Sequence, residues 1–553
     1  MKQNPLIWVT RRVRRRIPAV ILLTLANMAH ALFGVLFALG SRSVIDSAVS
    51  GDRTRFLRAC GDQAAIILGI LLCMALVRHL QERLRADLER DWKRELLHGL
   101  LHGEYAAVRE YHSAELLNRL NNDVTKVNDG ILGIVPSAAA MVTKVGAAVV
   151  VLGILDLRFT AMILVLGLLV VAATGFMRRK LKELNKNVSA QDGRVSAFLQ
   201  EAIEKLLMVQ AMDVSAEVEH RTDDLLEARY QMHRRRKNIS LLTNLGVSLF
   251  SYGAGFTALV WSANRLLLGQ ISFGSLTAVI QLVNQIRAPF VNLSGIFPMY
   301  TAMLASAERL MELDAIQGEP APCCGDPKCL YDTAQSISAK GLSFSYGRDP
   351  VLKDAAFTLP KGAFAVITGP SGIGKSTLLK LLLGIFRPKE GQLCLDRAGE
   401  SLVLDRSTRR LFAYVPQGNL LLSGTLRDNL TIVKPDASEA EIRQAVYVSN
   451  MDEFLPTLPD GLDTILGEGG SGLSEGQAQR LAIARAVLGG APILLLDECT
   501  SALDEATEQT VLQRLKALPD RTCIAVTHRS AAISLCDWKL ELQDGSIKAI
   551  NMK

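Results

Sequence analysis

The sequence predicts a two-part protein. An all-α membrane domain of six spans with long cytosolic helical extensions comes first, and an α/β domain built around a phosphate-binding loop follows. Three observations predict it. Long apolar segments recur through residues 17–304. Pro320, Pro322 and Pro327, set among glycines and cysteines, then mark a linker. Beyond it, Gly369-Pro370-Ser371-Gly372-Ile373-Gly374-Lys375-Ser376-Thr377 matches G-x-x-x-x-G-K-[ST] at every fixed position.

Composition agrees. A chain of 553 residues is too long for one core. It is 49% hydrophobic and 21% charged, with mean hydropathy +0.22, apolar for a soluble enzyme. The formal net charge of +7 is modest, and its basic residues gather beside apolar segments. That arrangement reads as membrane topology rather than as a nucleic-acid face, so no nucleic-acid partner is expected. Nine cysteines sit mostly singly in apolar surroundings, such as Cys73, Cys394, Cys523 and Cys536. A disulfide framework is not expected, and a reducing cytosol suits the second half. Cys323, Cys324 and Cys329 lack a second ligand pair nearby and read as thiols in a linker rather than as a zinc site.

Residues 1–16 carry Lys2, Arg11, Arg12, Arg14, Arg15 and Arg16 among Leu6, Ile7, Trp8 and Val9. The apolar run that follows is too long for a signal peptide and lacks a small-residue cleavage site. An interfacial helix is expected there, with the N-terminus in the cytoplasm. Spans are expected near 17–40, 62–82, 131–155, 157–177, 239–268 and 271–304, each able to cross roughly 30 Å of hydrocarbon. The second is the weakest, because its charge-free core from Ala64 to Val77 is short. Connections alternate between short and long. The long ones, 83–130 and 178–238, are polar with leucines at helical spacing, such as Leu96, Leu97, Leu100 and Leu101. Arg178, Arg179 and Lys180, with Arg234, Arg235, Arg236 and Lys237, place the second of them in the cytoplasm. About 25 further helical residues reach roughly 37 Å past the bilayer at about 1.5 Å per residue. The turns of the two hairpins, near Tyr105 to Glu115 and near Ala211 to Glu217, are the expected contact points with a cytosolic domain.

Polar groups inside spans are costly. Gln281, Asn284 and Gln285 share one face of the sixth span. A water-filled substrate path would need such a stripe, and helix-to-helix hydrogen bonding would produce the same one. Lys144 and Arg287 favour the path, because a full charge is hard to turn toward lipid. The domain boundaries expected are 17–312 for the membrane domain, 313–335 for the linker and 336–553 for the α/β domain.

In that last domain the glycine loop lies between the apolar run Ala363–Thr368 and the leucine-rich Leu378–Leu383. Strand, glycine loop and helix let backbone N–H groups and a helix N-terminus meet phosphate oxygens. Lys375 can reach the β- and γ-phosphates, and the Ser376 hydroxyl can ligate Mg²⁺. Ile493-Leu494-Leu495-Leu496 ends in Asp497 and Glu498. Asp497 suits the metal, and Glu498 suits the role of base toward an attacking water.

These residues and their order resemble the ABC transporter family, as a half-molecule of the exporter type. Leu473-Ser474-Glu475-Gly476-Gln477 resembles the family signature LSGGQ, with Glu475 replacing its first glycine. Gln417 in Val415-Pro416-Gln417 resembles the Q-loop, Ser501-Ala502-Leu503-Asp504 the D-loop, and His528 the switch histidine. Glu468 resembles the X-loop residue, and Tyr346 the aromatic that stacks on adenine. Cys499 stands where alanine is more usual.

The resemblance implies an ATPase coupled to transmembrane movement, with ATP and Mg²⁺ as cofactors. Glu498, His528, Gln417 and Lys375 would be catalytic. Ser376, Gln417 and Asp497 would hold the metal. Tyr346, residues Gly369–Thr377, Gln417, Ser474, Gly476, Gln477, Asp504 and His528 would contact nucleotide. It implies an obligate dimer, homo- or heteromeric, because one chain carries one copy of each motif. It also implies a bacterial inner-membrane location and export of an amphipathic compound, lipid or peptide. Uptake of a metal chelate is the alternative. No cysteine-protease segment precedes the first span, so leader cleavage is not expected.

Overall fold

The computed structural model describes residues 4–319, 326–418 and 421–552. Side chains are described throughout these except at 164, 166–182, 186, 243, 244, 247, 250, 251, 287–295, 297 and 468. Of the residues singled out above, Lys2, Pro320, Pro322, Cys323 and Cys324, and the side chains of Arg178, Arg179, Lys180, Arg287 and Glu468, therefore lie outside the description. The chain divides into two compact units, Met1–His98 with Ser113–Ala315, and Gly99–His112 with Ile316–Lys553.

The first unit is helical. Helix α1 (Pro5–Val13) precedes α2 (Ile17–Val49) and α3 (Arg53–His102). The short α4 (Tyr105–Arg109) falls in the 99–112 segment of the second unit, and the first unit resumes with α5 (Ser113–Asn118), α6 (Val124–Leu155), α7 (Leu157–Glu204), α8 (Leu206–Ala211), α9 (Ser215–Leu267) and α10 (Phe273–Asp314). Among the described residues, three helical stretches are long and apolar enough to cross a bilayer: Pro5–Val49, Arg53–His102 and Ser113–Leu155. The second is the one with the shortest charge-free core, yet its apolar window is wholly unburied. Leu68, Leu71, Leu72 and Leu76 all point outward, as a lipid-facing surface requires.

Local chemistry explains the helix ends. Asn4 caps α1 by accepting the Leu6 N–H at 3.0 Å. Asp156 separates α6 from α7 in an extended conformation and accepts the N–H groups of Arg158 and Phe159, each at 3.1 Å. Its other oxygen accepts from Trp261 Nε1 at 2.9 Å, which ties α9 to the same corner. α5 runs into α6 through a π-helical turn, Arg119–Asp123, whose side chains grip the far end of α10. Arg119 donates to Glu115, Glu312 and the Arg309 carbonyl, while Asp123 accepts from Ser306 Oγ at 2.9 Å and Arg309 Nε at 2.8 Å.

The second unit starts with α11 (Pro327–Asp332), β1 (Ala334–Tyr346), β2 (Asp349–Pro360), β3 (Phe364–Thr368) and α12 (Lys375–Leu382). It continues with β4 (Glu390–Arg397), β5 (Glu400–Val403), β6 (Phe412–Val415), β7 (Gly424–Thr425), α13 (Leu426–Thr431), α14 (Glu439–Val448) and β8 (Ile465–Leu466). It closes with α15 (Glu475–Leu488), β9 (Ile493–Asp497), α16 (Glu505–Lys516), β10 (Thr522–Val526), α17 (Ser530–Leu535), β11 (Trp538–Gln543) and β12 (Ser546–Asn551). The main sheet has the order β12-β11-β3-β10-β9-β6, parallel apart from β12. β3, β9 and β10 are buried along their whole lengths, which is why they read as continuous apolar runs. An antiparallel sheet, β2-β1-β4-β5, lies in the same unit.

The tip of the first long hairpin belongs to this unit. Glu104 N donates to Gln317 O at 3.0 Å, and Glu319 N donates to His102 O at 2.8 Å. The Tyr105 ring centroid lies 6.0 Å from that of Phe386. The second hairpin turns at Met212–Val214, between α8 and α9, close to its expected place.

Candidate functional site

β3 ends at Thr368, and the chain loops through Gly369–Gly374 into α12. Gly369 and Gly374 take φ values of 148° and 112°. A Cβ at position 374 would stand 2.3 Å from Val351 Cγ1, and one at 369 would stand 2.7 Å from the Leu542 carbonyl. Both conformation and space demand glycine, and the loop is thereby free to curl its N–H groups inward at the start of a helix. Pro370, Ser371 and Gly372 are exposed along the loop, and Ile373 is half-buried. Lys375 is buried, with Nζ donating to Gly369 O at 2.8 Å and Pro370 O at 2.9 Å. Thr377 Oγ1 lies 3.2 Å from the Tyr346 hydroxyl.

Tyr346 packs edge-on against Phe344 and Phe386, with centroids 5.0 and 5.4 Å away. The Arg109 guanidinium lies 5.9 Å from the centroid of the same ring. The first hairpin therefore touches the residue expected to stack on adenine.

Asp497 terminates β9 and is 2% exposed. Ser376 Oγ donates to its Oδ1 at 2.9 Å, and the Tyr414 hydroxyl donates to its Oδ2 at 3.1 Å. Burial pushes the Asp497 carboxyl up from the usual carboxylate range, and the two hydroxyl donors pull it part of the way back. A hydroxyl and a carboxylate held together beside a phosphate-type loop are hard oxygen donors that suit Mg²⁺. When bound there, Mg²⁺ would neutralise charge on the phosphates. Gln417 does not turn its amide nitrogen toward these donors. Its Nε2 donates to Glu498 Oε2 at 2.7 Å, leaving its amide oxygen as the atom available to a metal.

Glu498 takes a left-handed φ of 48°, and its N–H donates to Val526 O at 3.0 Å. A non-glycine residue in that region costs on the order of 1–3 kcal/mol and tends to mark a functional position. The strain turns the chain sharply at the strand end, so that Glu498 does not continue the alternation of β9.

Ser474 caps α15. Its N–H donates to Gln477 Oε1 at 2.9 Å, and its Oγ accepts the Gln477 N–H at 3.3 Å. Gln477 is thus the reciprocal half of a capping box, and Gly476 lies in the first turn. Asp504 caps α16 by accepting the Thr507 N–H at 2.9 Å, and this bond holds its carboxyl below the usual range. His528 is exposed just beyond β10. Among the described residues no hydrogen bond joins Ser474 or Gly476 to the 369–377 loop.

Two residues not singled out in the sequence organise these loops. Gln479 of α15 donates to Ser501 Oγ at 3.0 Å and accepts from Ala502 N at 3.1 Å. Arg529 donates to Ser501 O at 2.6 Å, Leu503 O at 2.7 Å and Glu508 Oε2 at 3.0 Å. The segment 501–504 is therefore tied both to the signature helix and to the residue after His528.

The membrane stripe divides. Gln285 Nε2 donates to Gly34 O at 2.6 Å, which joins α10 to α2. Gln281 Oε1 and Gln285 Oε1 are buried without a partner. Asn284 is exposed and Lys144 half-buried.

Comparison with known proteins matches residues 20–290 to the ABC transporter transmembrane region and residues 352–501 to the ABC transporter domain. The chain is 34% identical over 360 residues to the mycobactin import ATP-binding/permease protein IrtB of Mycolicibacterium thermoresistibile. That match covers 64% of this chain and 61% of the relative's own length. It is 30% identical over 442 residues to a fatty acid ABC transporter ATP-binding/permease protein of Mycobacterium bovis, covering 78% of this chain and 68% of the relative. A solved bacterial Atm1-family ABC exporter with ATP bound superposes with a TM-score of 0.79 at 24% identity, covering 98% of this chain and 95% of that one, and shares the fold. The chain belongs to the ABC transporter family, with a transmembrane region and an ATP-binding domain in one polypeptide.

Proposed function

We propose that the chain is one half of a dimeric ATP-driven transporter that exports an amphipathic compound, lipid or peptide by alternating access. The observation that carries this reading is the pair of adjacent acids at the end of β9. Asp497 is tied to Ser376 of the phosphate loop at 2.9 Å, and Glu498 is tied to Gln417 at 2.7 Å. One acid serves the metal and its neighbour serves the water.

In this reading Lys375 exchanges the loop carbonyls for phosphate oxygens, and Ser376, Gln417 and Asp497 hold Mg²⁺. Glu498 orients a water in line with the γ-phosphorus and takes its proton as the bond to the ADP oxygen breaks. His528 stabilises charge on the transferred phosphoryl group. Ser474 and Gly476 present the N-terminal end of α15 to the nucleotide of a second copy, because they make no link to their own phosphate loop. The tip of the second hairpin supports the dimer. Ile203, Leu207 and Met212 are 71%, 81% and 65% exposed there, an apolar surface suited to the nucleotide domain of the second copy. The basic α1 and the basic membrane ends of the long connections support a cytosolic ATP-binding domain and N-terminus, at a bacterial inner membrane. Gln281, Asn284, Lys144 and Arg287 would border the substrate path.

A second reading, uptake of a metal chelate, is favoured by the similarity to a protein named for mycobactin import. Proteoliposomes with the nucleotide domain outside separate the two readings. Export in cells appears as ATP-dependent accumulation inside such vesicles. Uptake in cells appears as ATP-dependent loss of preloaded substrate. ATP hydrolysis with neither movement would refute transport.

A further inference from the structure

We propose that Tyr414 is a positioning residue that fixes the Asp497 carboxylate for the divalent cation. The inference rests on the reading in which Ser376 and Asp497 hold Mg²⁺, and it concerns a residue that no motif of the sequence brought forward. β6 lies parallel to β9, with Tyr414 opposite Leu495. From there the phenol reaches along the strand to the end of β9, where its hydroxyl donates to Asp497 Oδ2 at 3.1 Å. Ser376 holds Oδ1 from the other side at 2.9 Å. With one donor on each oxygen, the carboxylate cannot turn about its Cβ–Cγ bond without breaking a hydrogen bond.

The surroundings make this arrangement hard to replace. Asp497 is 2% exposed, so water has little access to an oxygen that loses its donor. A phenol facing a carboxylate can only donate, which fixes the direction of the bond. Three residues on, Gln417 donates to Glu498 in the same way. The end of β6 therefore sends one donor to each of the two adjacent acids, setting the metal-binding carboxylate with Tyr414 and the base with Gln417. The Tyr414 ring packs beside the buried core of the nucleotide domain, and phenylalanine reproduces that packing without the hydroxyl. Groups that orient a metal ligand typically account for about 10–100-fold in metal affinity when removed.

The test is Tyr414→Phe in the full chain reconstituted in lipid nanodiscs, with Mn²⁺ as the metal probe. Electron paramagnetic resonance measures bound against free Mn²⁺ in the presence of ATP, and trinitrophenyl-ATP measures nucleotide binding in EDTA. The expected result is Mn²⁺ affinity about tenfold weaker with metal-free nucleotide binding unchanged. The Mg²⁺ concentration for half-maximal ATPase should rise in parallel, while the rate at saturating Mg²⁺ stays near that of the parent. Unchanged Mn²⁺ affinity would overturn the proposal. So would loss of nucleotide binding in EDTA, which would make the hydroxyl a requirement of folding. Asp497→Asn separates this from the underlying reading. If that variant binds Mn²⁺ as well as the parent, the assignment of Asp497 to the metal fails. If it loses Mn²⁺ while Tyr414→Phe keeps it, only the role of Tyr414 fails.

Discussion

Replacing Glu498 with Gln removes one charge and one proton acceptor while leaving the surrounding geometry almost intact. The left-handed φ of 48° is kept, because glutamine has the same backbone demands as glutamate. The N–H bond to Val526 O is kept as well, since it belongs to the main chain. What goes is the carboxylate, whose Oε2 now accepts from Gln417. A positioned general base contributes typically 10²–10⁴-fold, so the mutant should lose about 10³-fold in kcat, equivalent to about 4 kcal/mol of barrier. Nucleotide affinity should be nearly unchanged, because Lys375 and Ser376 stand on a separate loop and keep their contacts. Phosphate release from reconstituted protein measures the first quantity, and trinitrophenyl-ATP binding measures the second. Hydrolysis at the parental rate would refute the assignment of the base. A loss of affinity equal to the loss of rate would show that Glu498 holds nucleotide instead.

Other consequences follow from the membrane unit. Asp123 is 1% exposed and faces Arg309 and Ser306. Asp123→Ala should destabilise the detergent-purified protein by about 1–2 kcal/mol, by removing the acceptor shared by Ser306 and the partly exposed Arg309, which a thermal melt would detect. Burial pushes the Asp123 carboxyl up, but the hydrogen bonds and charge of its partners outweigh this and hold it below the usual range. Its folded value is therefore depressed, so its contribution is complete above about pH 4 and is lost as pH falls through the folded value. The gap in melting temperature between parent and Asp123→Asn should accordingly close below about pH 4; a gap that persists there would contradict the pairing. Leu207 is 81% exposed at the tip of the second hairpin, so Leu207→Asp should change monomer stability by less than about 0.5 kcal/mol. It should nevertheless reduce transport per ATP hydrolysed in vesicles, and undiminished coupling would remove that tip from the path of transmission.

The parts legible in the sequence are those written locally. The glycine loop is legible because backbone conformation and close approach at 369 and 374 exclude other residues. The buried strands β3 and β9 are legible as short apolar runs with a fixed neighbour on each side. Both hairpin turns are legible because the leucines at helical spacing stop there. What escaped was held together across distance. Tyr414 and Asp497 are 83 positions apart, and Arg529 lies 28 from the carbonyl it clamps at Ser501. No periodicity links such pairs. The π-helical turn at Arg119–Asp123 escaped for another reason: one extra residue in a turn shifts the phase of the pattern without changing its composition. Gln285 carried two readings in the sequence, and its bond to Gly34 O shows it joining helices.

The central claim is that each nucleotide site is completed by a second copy of the chain. The most direct measurement mixes two inactive variants. Lys375→Ala breaks the phosphate loop of its own chain, and Ser474→Arg breaks the signature it offers. When the two are co-expressed, the mixed dimer contains one site with an intact loop from one chain and an intact signature from the other. The account predicts ATPase activity in the mixture that neither variant shows alone. A mixture as inactive as its parents, with mixed dimers present, would contradict it.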